Sequence, residues 1–353
     1  MKISTKTQLA FIFLALACFI GVVTSIIVNS LVTNQIIFEA QERVKEHLNT
    51  ARWVYESKIR DIDRTIHWTS IRHVLKKGTK EKNLSPIRDE LSGLMVEEGL
   101  DFLILVDRKG TVIFRFHNFQ VSGDSLIHDP FVKVALGKKA ISGTQILSRE
   151  ELLKEGETLA QKATLRLVPT PKAKPIEKVE ETSGMVLKSA CPVIDFNGEV
   201  LGVLTGGVLI NRNYEIVDRI KNIVFKDAKY KGKEIGTATI FLGDLRISTN
   251  VMDKEGNRAI GTRAMKEVQE QVLEKGLPWI HRAFVVDDWY ITAYEPIRDI
   301  QDKIVGILYV GLLESKYAVM KERLTLLFFL FSMSGMLIAL TVSFLLSWKI
   351  LKK

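Results

Sequence analysis

The sequence predicts an α+β fold: a long N-terminal helix, two tandem modules that each contain an antiparallel sheet, and an apolar helix at each end. Three observations support this prediction. Two uncharged apolar runs flank the chain, a helical pattern continues past the first run without a breaker, and the region between the runs shows the same order of strand patterns twice.

The second module has the clearest pattern, between Gly236 and Leu313. Its first two strands flank the tight turn Gly243-Asp244, which is a hairpin signal. A helical segment and three further strands follow, so that the predicted strands are Thr237–Leu242, Leu245–Thr249, Trp279–Val286, Trp289–Ile297 and Ile304–Leu313. This order predicts one antiparallel sheet of about five strands with a helix packed on it.

The two ends of the chain are predicted to span a membrane. Residues 7–38 and 324–348 contain no charged side chain, and the apolar stretches Leu9–Leu31 and Leu324–Trp348 are long enough to cross about 30 Å of hydrocarbon. A cleaved signal peptide is the alternative for the first stretch. That stretch is longer than the apolar region of a signal peptide, and no A-x-A cleavage site follows it.

Positive charges at the two ends predict the orientation. Lys2 and Lys6 precede the first span, and Lys349, Lys352 and Lys353 follow the second. Because cytoplasmic flanks are enriched in lysine, both termini are expected in the cytoplasm and residues 39–323 outside it. Reporter fusions at the two termini that reported opposite sides of the membrane would contradict this orientation.

Composition and motifs argue against several classes of protein. The formal net charge is +9, but five of these charges are the terminal lysines, so nucleic-acid binding is not indicated. Cys18 lies in the first span and Cys191 in a strand, so no disulfide is expected. No G-x-S-x-G, P-loop, G-x-G-x-x-G or H-E-x-x-H motif occurs, and the six histidines are scattered. We therefore expect no catalytic residues, no metal site and no cofactor in this chain.

The helical pattern that leaves the first span is unusually long. Apolar residues recur at spacings of three and four from Ile37 to Ile66, and no proline or glycine interrupts them before Gly78. Such a helix is expected to run along two stacked modules or to pair with a second copy of itself. The second alternative predicts a parallel homodimer in which cysteines introduced at Leu48 or Ala51 crosslink.

The first module repeats the pattern of the second. Its predicted elements are Ser85–Gly99 (helix), Asp101–Val106 and Thr111–Phe116 (strands), Asp129–Leu136 (helix), and the strands Ile141–Leu147, Met185–Ile194 and Val200–Ile210. In the last hairpin, Pro192 is followed at constant offsets by Asp195, Gly202 and Gly207, and Pro296 is followed at the same offsets by Asp299, Gly306 and Gly311. Two copies of one module, linked by a helix at Tyr214–Phe225, explain this repeat.

These patterns define the expected domain boundaries. They are a cytoplasmic tail (1–8), a first span (9–32), a long helix (33–78), a membrane-distal module (79–226), a membrane-proximal module (227–314), a connecting helix (315–323), a second span (324–348) and a cytoplasmic end (349–353).

The chain resembles the double Cache sensor regions, built from tandem PAS-like modules, of bacterial transmembrane histidine kinases and chemoreceptors. The segments that carry the resemblance include GMVLKSACPV, GVLTGGVLINRN, RISTNV, RAFVVDDWYITAYEPI and GILYVGLLESKY. The resemblance implies sensing of a small molecule outside the inner membrane and signalling across it. It also implies a HAMP segment followed by a kinase, methyl-accepting or cyclase output, supplied beyond Lys353 or by a partner.

Two other functions remain open from the sequence. A membrane-tethered solute-binding protein that feeds a transporter needs one anchor, whereas this chain has two predicted spans. A structural or interaction module without a ligand is the third reading, and a bound metabolite would contradict it.

Candidate ligand-binding residues occur in both modules. In the distal module, Arg115 and His117 alternate onto one strand face, Asp124 follows in a loop, and Lys188 lies in the strand before Pro192. Arginine and lysine together favour a small organic anion, most simply a carboxylate. The alternative is that these residues are charges on the solvent-facing side of an antiparallel sheet.

The proximal module offers a second candidate set. Tyr290, Thr292 and Tyr294 share one strand face, and the remaining members are Arg246, Arg263 and Arg282. The alternative is that the tyrosines are core aromatics with satisfied hydroxyls and that the arginines pair with nearby acids. We expect the distal set to bind the ligand.

A polar insertion, Ser148–Gly184, separates two strands of the distal module and contains three prolines. Loops at such positions can cover a pocket, so the insertion is a candidate lid. A surface loop without function is the alternative, and unchanged ligand affinity after deletion of Pro169–Pro175 would favour it.

Overall fold

The computed structural model describes residues 5–81, 83–226 and 228–351. Two compact units are present: residues 1–43 with 313–353, and residues 44–312. Lys2, Lys352 and Lys353, three of the lysines that predict the orientation, lie outside the described residues.

The first helix, α1 (Thr5–Ser70), ends earlier than the sequence predicts. We expected no break before Gly78, but α1 stops at Ser70 and α2 (His73–Glu81) contains Gly78. The Thr69 hydroxyl donates to the carbonyl of Thr65 at 2.7 Å, and the Ser70 hydroxyl donates to the carbonyl of His67 at 2.8 Å. Side-chain bonds of this kind can compete with the helical ladder, although Thr33 and Thr50 make the same bonds inside α1 without ending it.

The distal module follows in the predicted order. A 3₁₀ turn at Ser85–Ile87 leads into α3 (Arg88–Glu97), and the remaining elements are β1 (Phe102–Asp107), β2 (Val112–Arg115), α4 (Pro130–Leu136), β3 (Ile141–Leu147), α5 (Arg149–Glu155), α6 (Glu157–Ala163), β4 (Leu165–Arg166), β5 (Glu180–Glu181), β6 (Gly184–Ile194) and β7 (Val200–Leu209). Five of these strands form an antiparallel sheet in the order β2-β1-β7-β6-β3. The predicted polar insertion contains α5, α6 and the two-stranded β4–β5 ladder.

The proximal module repeats this topology. Its elements are α7 (Glu215–Phe225), β8 (Lys229–Tyr230), β9 (Lys233–Glu234), β10 (Gly236–Leu242), β11 (Leu245–Thr249), α8 (Lys266–Gln269), a π-helical turn at Glu270–Glu274, β12 (Trp279–Val285), β13 (Asp288–Arg298) and β14 (Ile304–Leu313), after which α9 (Glu314–Leu351) begins. The second five-stranded sheet has the order β11-β10-β14-β13-β12, which is the distal order with equivalent strands. The predicted α+β fold with two tandem antiparallel sheets is confirmed.

The predicted repeat is also present in atomic detail. The Asp195 carboxylate accepts hydrogen bonds from the backbone N–H groups of Asn197 and Glu199 at 2.8 and 2.9 Å. The Asp299 carboxylate does the same with Gln301 and Lys303 at 2.9 and 3.0 Å. Both aspartates therefore stabilise the same turn in the last hairpin of their modules.

Within residues 44–312, α1 contacts both modules. The Tyr55 hydroxyl lies 2.7 Å from the Thr144 hydroxyl of β3, and Arg52 Nε donates to Glu295 of β13 at 2.9 Å. Leu48 is 3% exposed and Ala51 is fully buried, so the apolar stripe is covered by its own chain. The dimer stays a prediction, but Leu48 and Ala51 are unsuitable positions for a crosslink because both are buried. The alternative, a helix that runs along both modules, agrees with the contacts of Arg52 and Tyr55.

Two helices in the described part of the chain are long and apolar enough to cross a membrane: Cys18–Ser70, which lies within α1, and Glu314–Val342, which lies within α9. The stretches that the sequence predicts as spans, Leu9–Leu31 and Leu324–Trp348, lie within α1 and α9 and overlap these two ranges in part. One hydrogen bond joins α9 to α1: Thr325 Oγ1 donates to Asn29 Oδ1 at 2.9 Å.

Candidate ligand-binding site

Arg115 is buried in a network of acids in the distal module. Its guanidinium donates to both carboxylate oxygens of Asp124 at 2.7 and 3.0 Å, to Glu155 at 3.0 Å and to the carbonyl of Val121 at 3.0 Å. The hydrogen bonds from Arg115 lower the pKa of Asp124. Arg115 and Asp124 thus meet as the sequence suggested, but the arginine already has acidic partners.

His117 lies beside the same network. Its Nδ1 accepts a hydrogen bond from the backbone N–H of Leu103, so the proton is assigned to Nε2, which faces Glu155 at 3.1 Å. Arg115 and His117 therefore converge on one carboxylate, although β2 ends at Arg115 and His117 lies in the bend that follows, not on the strand as predicted. Glu155 comes from α5, inside the polar insertion, and sequence reasoning missed it.

Lys188 belongs to a second buried ion pair. Its Nζ donates to Asp129 Oδ2 at 2.6 Å and to Gln145 Oε1 at 3.0 Å. Burial alone would raise the pKa of Asp129, but the Lys188 charge and several hydrogen bonds outweigh burial and lower it. Asp129 also caps α4 through the N–H groups of Phe131 and Val132. Arg115 and Lys188 are not the solvent-facing strand charges of the alternative interpretation.

A cavity of about 200 Å³ lies between these two networks. It is bounded by the first sheet, the start of α4 and helix α5, and its apolar wall includes Phe102, Ile104 and Leu147. Its charged wall carries three cations (Arg115, Lys154, Lys188) and three acids (Asp129, Glu151, Glu155). The cavity therefore offers both positively and negatively charged hydrogen-bonding groups, and the two kinds of charge nearly balance.

The polar insertion divides into two parts with different contacts. Helix α5 forms one wall of the distal cavity through Glu151, Lys154 and Glu155. The segment Pro169–Pro175 instead contacts the proximal module: the N–H of Arg263 donates to Thr170 Oγ1 at 3.0 Å, and the N–H of Lys266 donates to the carbonyl of Lys172 at 2.8 Å. Deleting this segment would remove a contact between modules, so the predicted deletion is no test of a lid over the distal cavity.

In the proximal module, the two predicted tyrosines, Tyr290 and Tyr294, share the inner face of the sheet with Arg246. Tyr294 and Tyr309 have ring centroids 4.6 Å apart, and Phe241 lies beside both. Arg246 lies over the Phe241 ring at 5.2 Å and donates through Nη1 to Thr262 Oγ1 at 2.6 Å. Tyr290 is 6% exposed, and the Thr292 hydroxyl donates to the carbonyl of His281.

The other two predicted arginines lie elsewhere. Arg263 forms an ion pair with Asp244 at 2.6 Å. Arg282 is exposed and lies over the Trp289 ring at 4.0 Å, on the opposite strand face from Tyr290 and Tyr294 because it is paired with Ile291 in the ladder. Arg282 is therefore not part of the tyrosine face. Among the residues that the structure describes, no group of three His, Cys, Asp or Glu side chains could hold a metal ion.

A family match supports the interpretation of the second module. Residues 208–324 match the family model described as single Cache domain 3. The match confirms that the chain contains a Cache-type sensor region, as the resemblance in the sequence implied. A search of curated proteins returned no match.

Solved structures similar to this chain include extracytoplasmic sensor domains. The periplasmic domain of Vibrio cholerae LuxQ is 9% identical, with a TM-score of 0.43 over 76% of this chain and 99% of that chain. The sensor domain of the V. cholerae histidine kinase DctB is 13% identical, with a TM-score of 0.39 over 77% and 96%. The ligand-binding domain of the Pseudomonas aeruginosa amino acid chemoreceptor PctB, in complex with L-Gln, is 14% identical, with a TM-score of 0.36 over 80% and 93%.

Proposed function

We propose that this chain, whose second module matches the Cache family, is a membrane-anchored extracytoplasmic sensor of small molecules. It signals to a cytoplasmic output of the histidine kinase or chemoreceptor type, with both termini in the cytoplasm. The observation that carries the proposal is the distal cavity, because it combines a volume of about 200 Å³ with several buried polar groups that a ligand can engage. The chain itself performs no catalysis in this proposal.

The charges around the cavity support a ligand that carries both signs. A simple anion would compete with Asp124, Glu155 and Asp129 for cations that are already paired. A small organic acid that also carries an ammonium group avoids this competition, because its carboxylate meets the cations while its ammonium group meets the acids. The carboxylate expected from the sequence thus remains part of the proposed ligand.

Signalling in this proposal uses the two long helices. Helix α1 is continuous from Thr5 to Ser70, and β14 passes directly into α9 at Glu314. A ligand that binds one arrangement of the distal module more tightly than another shifts the population toward that arrangement. We propose that the shift moves α9 against α1 and so reaches the cytoplasmic output.

Lys154 provides the test of the distal site. Its side chain is 44% exposed, lines the cavity and lies 3.4 Å from Asp124, so its removal should leave the fold intact. We expect Lys154→Met to weaken binding of a zwitterionic amino acid by about tenfold, since one charge-assisted hydrogen bond is lost. The measurement is the thermal midpoint of the full chain in detergent across a panel of amino acids, dicarboxylates and amines, in which a ligand at 100 times its Kd adds about 2.7 kcal/mol.

Lys174→Met is the matched control for this experiment. The Lys174 side chain has the same exposure of 44% and also forms an ion pair, with Glu274, but it lies outside the cavity. The control should bind the ligand as the wild type does. Equal loss in both variants, or stabilisation by dicarboxylates alone, would contradict a zwitterion in the distal cavity.

The proposal also includes a parallel homodimer, formed through a face of α1 that remains exposed. Trp53 and Trp68 lie on α1 with exposures of 54% and 61%. We expect Trp53→Cys to crosslink between two copies in membranes, whereas Leu48→Cys, which is buried, should not. Crosslinking of neither variant would count against this dimer.

A further inference from the structure

The proximal module contains a buried cation without an acidic partner. Four cationic side chains are buried in the described residues, and three of them have carboxylates: Arg115 with Asp124 and Glu155, Lys188 with Asp129, and Arg263 with Asp244. The fourth, Arg246, is 2% exposed and forms no ion pair with any residue that the structure describes. Its Nη1 donates to the neutral Thr262 hydroxyl, and its buried Nε has no hydrogen-bond partner.

An unpaired charge in such surroundings opposes folding. Burial lowers the pKa of Arg246, and only the neighbouring tyrosines act in the other direction. Proteins retain a buried charge when something compensates it. Because the described residues supply no compensating acid, the missing charge points to a bound anion.

The surroundings of Arg246 supply further hydrogen-bond donors, and no acid among the residues that the structure describes pairs with it. Asp287 and Asp288 act on Tyr290, but both form ion pairs with Lys233. Arg246 lies over the Phe241 ring, Phe241 lies beside Tyr294 and Tyr309, and Tyr290 shares the strand face of Tyr294, so these side chains form one cluster on the sheet. The electrostatic effect of Arg246 on the pKa of each tyrosine agrees with this placement. Burial raises the pKa of each tyrosine, for Tyr309 to about 12, so the hydroxyls stay protonated and can donate. The Tyr309 hydroxyl lies 2.9 Å from Thr237 Oγ1, whereas the hydroxyls of Tyr290 and Tyr294 make no hydrogen bond with another residue that the structure describes.

We propose that the proximal module binds a small monocarboxylate, held by the Arg246 guanidinium and the hydroxyls of Tyr290 and Tyr294. A carboxylate matches the planar fork of arginine and balances its single positive charge. A dianion such as phosphate would bring a second negative charge, and the other buried arginine of this module in the described residues, Arg263, is already paired with Asp244.

This site is separate from the distal cavity, so the protein would respond to two ligands. The proposal does not depend on the distal site, because Arg246 and the tyrosines belong to the second sheet and share no residue with the distal cavity. One module would bind a ligand that carries both signs, and the other would bind a simple carboxylate.

Arg246→Met tests the proposal with acetate as the probe. Methionine keeps much of the length of the side chain and removes the charge, so the unliganded variant should be no less stable than the wild type. We expect sodium acetate to raise the thermal midpoint of the wild-type full chain above its value in sodium chloride at equal ionic strength. In Arg246→Met, the affinity for acetate should fall by about tenfold or more.

Two controls separate the proximal site from other effects. Arg263→Met removes a buried arginine of the same module that is paired with Asp244, so it should lower the midpoint and keep the response to acetate. Lys154→Met changes the distal cavity and should also keep that response. Loss of the response in Lys154→Met would show that acetate binds in the distal cavity and would overturn the proposal.

Tyr294→Phe serves as a second variant if Arg246→Met does not fold. It removes one hydroxyl and keeps the ring, and it should weaken acetate binding several-fold. The proposal is overturned if chloride and acetate shift the midpoint equally. It is also overturned if Arg246→Met destabilises the unliganded chain without changing the acetate response, because Arg246 would then be a structural residue.

Discussion

Arg115→Met is expected to lower the free energy of unfolding by about 3–5 kcal/mol, because it leaves buried acids without their cation. The Arg115 side chain has no exposed surface, Glu155 is 6% exposed and Asp124 is 23% exposed. The corresponding loss in the thermal midpoint is roughly 10 °C. Thermal unfolding of the full chain, followed by circular dichroism, measures it.

A double variant tests whether the lower free energy of unfolding comes from buried acids that are left without a cation. Glu155→Gln removes one of the two uncompensated charges, so Arg115→Met with Glu155→Gln should be more stable than Arg115→Met alone. Arg64→Met is the matched control, since its side chain is 70% exposed and lies 3.9 Å from Asp61. It should change stability by less than about 1 kcal/mol. An equal effect of Arg64→Met and Arg115→Met would contradict the buried network.

The pH dependence of folding stability gives a second test of the ion pairs around Arg115. Arg115 lowers the pKa of Asp124 below its ordinary 3.8. A depressed folded-state pKa contributes stability that is present above 3.8 and is lost as the pH falls through the folded value. Without Arg115 this contribution disappears, so Arg115→Met should lose less stability than the wild type between pH 5 and pH 2. A steeper acid response in the variant would contradict this assignment.

The sequence predicts the strands of this fold well because local signals coincide with them. β3 has the bounds that the pattern indicates, Ile141–Leu147, and β14 likewise begins at Ile304 and ends at Leu313. β14 is an apolar run that follows a turn, and its hairpin is supported by the repeat around Pro192 and Pro296. β3 is mixed in composition, and the residues that bound it are Gly137 on one side and Ser148 on the other. Local propensity and the global sheet agree at these positions, which is why the prediction holds.

The acids of the distal site could not be assigned from the sequence because the relevant contacts are distant in the chain. Glu155 contacts Arg115, which is forty residues away in the sequence, and Asp129 contacts Lys188, which is fifty-nine residues away. A local signal for α5 did exist, since Ser148 and Glu151 form a capping box whose S-x-x-E pattern is readable in the sequence. It predicts the helix that carries Glu155, but it does not predict where that helix packs.

The lack of an acid at Arg246 is also invisible in the sequence. Asp244 is two residues away along the chain, yet its carboxylate pairs with Arg263 and not with Arg246. Successive strand residues point to opposite faces, and a turn residue such as Asp244 can reach either, so sequence distance does not decide the pairing. Only the three-dimensional arrangement shows which of the two arginines is left with neutral neighbours.

Gly202→Ala and Gly306→Ala are expected to destabilise the two modules by similar amounts. A Cβ atom on Gly202 would lie 2.1 Å from the carbonyl oxygen of Val106, and a Cβ atom on Gly306 would lie 2.1 Å from that of Phe241. Each contact is made by backbone of the neighbouring strand, so β1 would have to move from β7, and β10 from β14. Overpacking of this kind costs about 3 kcal/mol.

Gly93→Ala is the control, because a Cβ atom there meets nothing within 4 Å and the residue lies in helix α3. It should stabilise the chain by about 0.5–1 kcal/mol. Hydrogen exchange then locates each loss: Gly202→Ala should speed exchange in β1 and β7, and Gly306→Ala should speed it in β10 and β14. If the two glycines are equivalent members of one repeat, the two losses agree within about 1 kcal/mol. A large loss at Gly202 with none at Gly306 would show that the matching sequence positions do not carry the same backbone constraint.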